Sequence, residues 1–307
     1  MAESVYDILI VGSGPAGLTA AVYARRAGKS VLVLEKEVFG GQITHSPKVE
    51  NYPGYLEMSG NEFAEKLMEQ AQVQGAEIDL AEVTDVTVDD RGIKHVITDM
   101  GEYLCRALII ASGSRHRELG VPREEEFTGK GISYCAVCDG AFYAGKHVAV
   151  IGGGNSALQE AIMLAERCSQ VTVVQNLAFL TGEEKLSEKL FAMENVDFIY
   201  NCVVEALEGT DELEKVILHN TEDGSSVPLE VDGVFVAIGQ LPANGPFAKV
   251  ARLAVNGYFE SGEDCMTMTP GVFVAGDCRQ KNVRQITTAT GDAAVAAVSA
   301  CRWLDSQ

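Results

Sequence analysis

Apolar positions along the chain fall into two kinds of run. Short unbroken stretches predict buried strands, and apolar residues three and four apart predict helices. Tyr6–Val11 (YDILIV) is the first strand. A helical pattern follows through Leu18, Ala21, Val22 and Ala24 to Gly28, and a second strand spans Ser30–Leu34. Asn61–Gln74 reads as an amphipathic helix, its inner face expected at Phe63, Leu67 and Val73. From Ala81 to Ile110 short strands alternate around Asp89-Asp90-Arg91-Gly92 and Met100-Gly101, a β-meander that closes in the apolar strand Ala107–Ala111. Ser114–Gly120 is charged and turn-rich, the expected linker into a second domain. There the order repeats: a strand at His147–Ile151, a helix to Cys168, a strand at Val171–Val174 and a meander ending in Val231–Gly239. Leu241–Gly245 is the expected return linker. The last part holds a strand in Thr269–Asp277 that delivers an acid at its carboxyl end, then a small-residue helix over Ala289–Ala300.

The first strand and helix are joined by Gly12-Ser13-Gly14-Pro15-Ala16-Gly17, and the second strand ends in Glu35. Strand, GxGxxG, helix, strand, acid is a complete dinucleotide-binding unit. Its glycines let backbone approach a pyrophosphate seated on the helix N-terminus, and Glu35 is placed for the adenosine ribose hydroxyls. Gly12, Gly14 and Gly17 recur at Gly152, Gly154 and Ala157, always 140 positions on. The expected fold is therefore α/β: two Rossmann-like (three-layer) nucleotide-binding domains, the second inserted in the first. Residues 1–114 and 246–307 would form one, and residues 115–245 the other.

At 307 residues the chain suits two domains of ordinary size. A 47% hydrophobic content with only 7% aromatics and 31 glycines favours α/β sheets with tight turns over a β-sandwich or a coiled coil. Met1-Ala2-Glu3-Ser4 lacks the basic start of a secretory leader, and no apolar run is long enough to span a bilayer. Eight cysteines without a leader point to a reducing cytoplasm. A formal charge of −20 argues against nucleic acid and anionic membrane as partners.

Chemistry concentrates in Ser133-Tyr134-Cys135-Ala136-Val137-Cys138-Asp139-Gly140. Two thiols two residues apart can close a small disulfide ring and reopen it. At the start of a helix their pKa is lowered by backbone N–H groups, and the neighbouring Asp139 is placed to shuttle the proton. A structural disulfide suits a secreted chain better. Half a zinc site needs a second pair, and Cys105, Cys168, Cys202, Cys265, Cys278 and Cys301 are solitary, so no metal is expected. A redox dithiol is the leading reading.

With these residues assembled, the chain resembles the low-molecular-weight thioredoxin reductases over nearly all its length. The carrying motifs are GSGPAG at Gly12–Gly17, GGQ at Gly40–Gln42, ENYPG at Glu50–Gly54, CAVCD at Cys135–Asp139, GVFVAGD at Gly271–Asp277 and RQITTATG at Arg284–Gly291. The resemblance implies non-covalent FAD in the first domain, with Asp277 on the ribityl chain and Gln42, Arg284, Gln285 and Ile286 lining the flavin. The full set of cofactor-binding residues it implies adds Gly12, Ser13, Gly14, Pro15, Ala16, Gly17, Glu35, Lys36, Gly41, Asn51, Val83, Ala111, Gly113 and Gly276. It further implies a homodimer and a rotation of the inserted domain that presents the dithiol alternately to flavin and substrate. Cys138 would face the flavin, Cys135 would attack the disulfide of a thioredoxin-like protein, and Asp139 would handle the proton.

One part departs from the family. Its ordinary members end the second strand of the inserted domain with His-Arg-Arg and a further Arg four residues later, cations that hold the 2′-phosphate of NADPH. This chain has Gln175-Asn176-Leu177 and then Thr181, and neither Gln175 nor Asn176 is an acid that would anchor the ribose of NAD. The family's Asp and Glu in the glycine-loop helix are Asn155 and Gln159 here. Residues 117–244 carry 8 Lys and Arg against 21 Asp and Glu. Losing several charge-assisted hydrogen bonds, at roughly 1.5–3 kcal/mol each, removes useful affinity for NADPH. In this the chain resembles the ferredoxin-dependent flavin thioredoxin reductases, and reduced ferredoxin is the expected donor. Its dock is expected at Arg279, Lys281 and Arg284, or at Arg115 and Arg117. Three alternatives stand beside it: NADPH held atypically by Lys185 or Lys189, a flavin dithiol oxidase using O2, and a non-enzymatic redox sensor.

Overall fold

A computed structural model describes residues 5–46 and 48–307, so Met1–Ser4 lie outside the described residues. The chain forms two compact units, one running to Arg115 and resuming at Leu241–Gln307, the other His116–Gln240. The first begins with β1 (Val5–Val11), α1 (Pro15–Arg26), β2 (Val31–Glu35), α2 (Gly60–Val73), β3 (Glu77–Leu80), β4 (Val83–Val88), β5 (Lys94–Thr98) and β6 (Gly101–Ile110). The chain crosses at β7 (Ser114–His116) into α3 (Glu124–Phe127), β8 (Ile132–Ser133), α4 (Ala136–Asp139), β9 (His147–Ile151) and α5 (Asn155–Ala165). Then come β10 (Gln170–Val174), α6 (Glu184–Phe191), β11 (Val196–Ile199), β12 (Cys202–Gly209), β13 (Leu213–Asn220), β14 (Ser226–Glu230) and β15 (Gly233–Val236). β16 (Gln240–Pro242) returns, and β17 (Val272–Val274) and α7 (Ile286–Asp305) complete the first unit.

In the first unit β3, β2, β1, β6 and β17 are parallel neighbours in that order. β6 is long enough to serve two partners on one edge. Its first half pairs antiparallel with β5 (Lys94↔Cys105) and its second half parallel with β17 (Leu108↔Val272). Strand alternation separates the layers. Ile8, Ile10, Val31, Val33 and Ile109 face α1 and α7, while Leu9, Val11, Leu32, Leu34 and Ile110 face the meander residues Val86 and Val96 with Phe259. Both faces are covered, which is why these strands read as unbroken apolar runs. α1 packs on α7 through small side chains, Ala20, Ala21 and Ala24 with Ala293, Ala296 and Ala297, all fully buried. A larger residue at Ala293 would force the helices apart at a cost of roughly 1–3 kcal/mol.

The second unit repeats the plan. β11, β10, β9, β15 and β8 form a parallel sheet, with α5 over one face and the antiparallel β12, β13 and β14 over the other. Val148, Val150, Val171 and Val173 meet Ala157, Leu158, Ala161 and Ile162 of α5. The turns after β1 and β9 are equivalent. Gly12 has φ +97° and Gly152 φ +131°, and a Cβ would stand 2.4 Å from Ala111 O in one and 2.6 Å from Ala237 O in the other. Glycine is required at both.

Three element readings need correction. Val73 is 76% exposed, and Ala71 takes the inward place beside Phe63. At 100° per residue Val73 lies about 160° round the helix from Ala71, so it points to solvent. β6 starts at Gly101 rather than Ala107, because its first half is needed by β5. α7 continues past Ala300 to Asp305, since Leu304 is still buried against the same core. Among the described residues no helix is long and apolar enough to cross a membrane.

Candidate active site

Cys135 and Cys138 are joined by a disulfide, their Cα atoms 5.3 Å apart. Parallel pairing of β8 with β15 delivers the chain to this turn (Ile132↔Val234, Ser133↔Phe235). Cys135 is the N-cap of α4, and its carbonyl accepts the N–H groups of Cys138 at 3.1 Å and Asp139 at 3.0 Å. Ser133 Oγ accepts the Cys135 N–H at 3.1 Å and donates to Asp139 Oδ2 at 2.6 Å. Asp139 Oδ1 is buried and has no hydrogen-bond partner among the described residues. Burial therefore pushes the Asp139 carboxyl up, the Ser133 hydrogen bond only partly opposing it. An acid in that condition keeps its proton where an ordinary aspartate has lost it. Val137, between the sulfurs, is 57% exposed, so the turn reaches the surface.

Sequence reasoning missed a second carboxyl at this turn. Glu160 lies on α5, which packs against α4, and its Oε2 is buried without a hydrogen-bond partner among the described residues. Burial pushes its pKa up to about 7. No short motif marks it, because its relation to the dithiol comes from the packing of α4 on α5.

In the first unit the expected cofactor residues converge on the turn after β1. Gly14 precedes α1, whose first turn has Pro15 but no side-chain cap and no acid, leaving backbone N–H groups free for an anion. Gly40 N–H donates to Ser13 O at 3.2 Å, and a Cβ on Gly41 would stand 3.2 Å from Gly14 Cα, so the Gly41-Gln42 turn lies on the same loop. Ala111 N–H donates to Val11 O at 2.8 Å, which sets Ala111 and Gly113 beside Gly12. A Cβ on Gly276 would come 2.8 Å from the Ala16 methyl, so Gly276-Asp277 abuts the start of α1. Asn51 Nδ2 donates to Gln285 Oε1 at 3.1 Å, tying the ENYPG loop to the residue that caps α7, and Ile286 packs in the cluster of Tyr52 and Phe63.

Glu35 differs from the expectation in detail. It ends β2, but its Oε2 accepts from both N–H and Oγ of Ser13 at 2.8 Å, and Oε1 from Lys36 N–H at 2.9 Å and Glu37 N–H at 3.1 Å. A ribose hydroxyl would be a further partner on oxygens that already brace the glycine loop. Val83 is buried at the start of β4, just beyond Ala81, whose N–H donates to Glu35 O at 2.8 Å.

Asp277 carries the clearest unmet demand. Its Oδ1 is buried with no hydrogen bond among the described residues, although Lys281 Nζ stands 3.4 Å away. Burial raises its pKa, opposed by the charges of Lys281 and Arg284. A buried oxygen seeking a donor, an uncapped helix start and a loop with room for backbone approach together fit FAD.

The second glycine loop is arranged differently. Gln175 is 4% exposed and spends its amide within the protein, Nε2 donating to Phe179 O at 3.1 Å and Oε1 accepting Asn176 N–H at 3.1 Å. A Cβ on Gly153 would stand 2.5 Å from that Nε2, so the amide lies on the loop. Thr181 N–H at 2.8 Å and Gly182 N–H at 2.9 Å both donate to Gly153 O, and Asn155 Oδ1 accepts Glu183 N–H at 2.7 Å. Where the family holds phosphate with cations, this segment is neutral and satisfied by itself.

The expected donor docks fare less well. Arg279 pairs with Asp292 at 2.8 Å and Lys281 with Asp292 at 3.1 Å, and both cations are largely buried. Arg284 lies 4.2 Å over the Tyr258 ring, and Arg115 is paired with Glu37. These cations hold the protein together, which leaves Arg117 as the exposed one of the five without an ion pair among the described residues. Lys189 is paired with Glu166 at 3.7 Å.

A family model described as pyridine nucleotide-disulphide oxidoreductase matches residues 6–293. Thioredoxin reductase of Bacillus subtilis (strain 168) is 41% identical over 304 residues, covering 99% of this chain and 96% of that protein. The 34.2 kDa protein in rubredoxin operon of Clostridium pasteurianum is 40% identical over 303 residues, 98% of each chain. The crystal structure of thioredoxin reductase from Streptococcus pyogenes MGAS5005 superposes with a TM-score of 0.95 at 39% identity, over 100% of both chains. The chain thus belongs to the pyridine nucleotide-disulphide oxidoreductase family, as a flavin-dependent disulfide oxidoreductase of the thioredoxin reductase type with FAD as its cofactor.

Proposed function

We propose that this chain reduces the disulfide of a thioredoxin-type protein through Cys135 and Cys138, and that it takes its electrons from reduced ferredoxin rather than NADPH. The observation that carries the choice of donor is Gln175, buried and self-satisfied where a phosphate clamp would begin, with Asn176, Leu177 and Thr181 adding no cation.

Bound FAD would supply the carrier that accepts single electrons and releases them in pairs. The Gly12–Gly17 loop and the start of α1 would hold its pyrophosphate, Glu35 its adenosine ribose and Asp277 its ribityl chain. Gln42, Arg284, Gln285 and Ile286 would line the ring. Reduction of the Cys135–Cys138 bond takes two electrons and one proton, which the protonated Asp139 gives to Cys138, leaving a Cys138 thiol, a Cys135 thiolate and an ionised Asp139. The Cys135 thiolate attacks the partner's disulfide and forms a mixed disulfide, expelling a partner thiolate. Asp139 takes the Cys138 proton, and the new Cys138 thiolate attacks Cys135 Sγ, releasing the reduced partner and closing the ring again.

Anaerobic stopped-flow mixing of the FAD-loaded enzyme with NADPH, NADH and reduced ferredoxin tests the donor. Ferredoxin is expected to bleach the flavin and the two nucleotides to leave it oxidised. Rapid bleaching by micromolar NADPH would overturn the donor assignment, and oxygen uptake with a small dithiol but no effect of thioredoxin would favour an oxidase. Cys135→Ser and Cys138→Ser are each expected to abolish disulfide reduction while FAD stays bound.

A further inference from the structure

The ladder of β8 ends at Ser133, paired with Phe235, and Cys135 opens the dithiol turn two residues on. Tyr134 spans the step between them. Strand alternation turns its ring away from the Ser133–Asp139 side and into the cluster that holds Ile132, Leu119 and Val121. There the Tyr134 hydroxyl donates to Glu124 Oε1 at 2.8 Å, and the His116 ring stacks on the phenol with centroids 5.2 Å apart.

Glu124 is 6% exposed, and its oxygens are filled by three neutral donors. Besides the phenol, Oε1 accepts the Leu119 N–H at 2.7 Å, and Oε2 accepts the Gly120 N–H at 2.8 Å. One buried carboxyl therefore ties the stretch by which the chain enters the second unit to the residue before Cys135. Burial, with Glu124 adding to it, raises the pKa of the Tyr134 hydroxyl, which keeps the proton that it donates.

We propose that Glu124 is a positioning residue for Cys135, acting through Tyr134: their hydrogen bond fixes the chain leading into the turn and so holds the Cys135 sulfur within reach of Cys138. The proposal rests on the redox reading of the pair. Ring closure joins the two sulfurs, and the open form regains whatever backbone freedom the chain before Cys135 allows. A tether at Tyr134 removes that freedom in advance. It raises the effective concentration of one sulfur at the other and favours the ring. The dithiol is thereby the stronger reductant, as suits a pair that hands electrons to another disulfide. The same hold shortens the search by which Cys138 finds Cys135 Sγ in a mixed disulfide. Ser133 and Glu124 divide the work: Ser133 Oγ accepts the Cys135 N–H, and Glu124 holds the chain one residue earlier from the other side.

The test is the dithiol's reduction potential in the FAD-loaded, full-length enzyme. The enzyme is equilibrated anaerobically with reduced and oxidised dithiothreitol, acid-quenched, alkylated and read by mass on the peptide carrying Cys135 and Cys138. Reduced dithiothreitol gives two electrons and two protons to the Cys135–Cys138 bond and is left as its own cyclic disulfide. Tyr134→Phe keeps the ring and its stack, removes the donor and leaves Glu124 its two peptide N–H groups. Its equilibrium should shift about three- to tenfold toward the dithiol, the range of one ordinary hydrogen bond, which is a potential about 14–30 mV less negative than the parent's. Urea midpoints are measured alongside. A lowered midpoint with an unmoved potential assigns the bond to the fold alone and overturns the proposal, as does a variant identical to the parent in both. Should Tyr134→Phe fail to fold, Glu124→Asp, whose carboxyl is drawn back by one methylene, is read by the same criterion. If the parent's Cys135–Cys138 bond is not reduced at any dithiothreitol ratio, the redox reading falls, and this proposal with it.

Discussion

Ser133 Oγ donates to Asp139 Oδ2 at 2.6 Å while accepting the Cys135 N–H, so a single hydroxyl links the first cysteine to the acid. Among the described residues it is the one hydrogen bond of a carboxyl whose second oxygen is buried without a partner. Asp139→Asn leaves the turn's shape but removes the proton store. Turnover in disulfide reduction should fall by about 10²- to 10⁴-fold, with the flavin spectrum unchanged. A variant within twofold of the parent in steady-state assay would remove Asp139 from the chemistry.

Glu160 also leaves a mark on stability. Its folded-state pKa is about 7 against 4.5 for an ordinary glutamate, so between those values the native protein binds more protons than the unfolded chain. The favourable balance is complete below the lower value and is lost as pH rises through the upper one. A gap of that size corresponds to about 3 kcal/mol. Urea midpoints of parent and Glu160→Gln, compared at about pH 5 and about pH 8, should diverge, the parent losing more at the higher pH. Parallel behaviour would mean that Glu160 is ionised throughout.

Rebuilding the phosphate clamp should change the donor. Gln175→His, Asn176→Arg, Leu177→Arg and Thr181→Arg together supply the family's cations, each worth roughly 1.5–3 kcal/mol on a phosphate. Flavin bleaching by NADPH should appear in the quadruple variant and be absent from the parent. If the variant stays unresponsive, the obstacle lies elsewhere in the second glycine loop.

Asp277 Oδ1 is predicted to find its missing donor on FAD. Asp277→Ala should weaken FAD binding by about tenfold to a hundredfold, the effect of losing a hydrogen bond to a charged group. Flavin fluorescence during titration of the apoprotein reads this directly. Equal affinity would show that Asp277 is satisfied by Lys281 alone.

Much of this architecture was legible because its signals are local. The unbroken run before Gly12 and the glycine spacing after it follow from burial on both sheet faces and from a turn that admits no Cβ. Long-range packing was not legible. Lys94 reads as a surface charge in a meander yet is fully buried, its ammonium donating to Gly92 O and Arg106 O and lying 4.5 Å from the Trp303 ring. Arg279 and Lys281 read as a basic patch for the same reason, since the Asp292 that neutralises them is more than ten residues further on. The dithiol was visible as a pair of cysteines and an acid. Ser133 and Glu160 were not, because serine and glutamate acquire meaning only from what they touch.

The alanine seam between α1 and α7 has a consequence for biosynthesis. α1 is synthesised long before α7, so the part of the β1–β2–β6 sheet face that α7 covers stays bare until α7 has been made. The central unit, encoded without interruption between His116 and Gln240, emerges whole and is free to fold while its neighbour waits. Nascent chains released before Ile286 would thus pair a finished half with an adhesive one, natural clients for a chaperone.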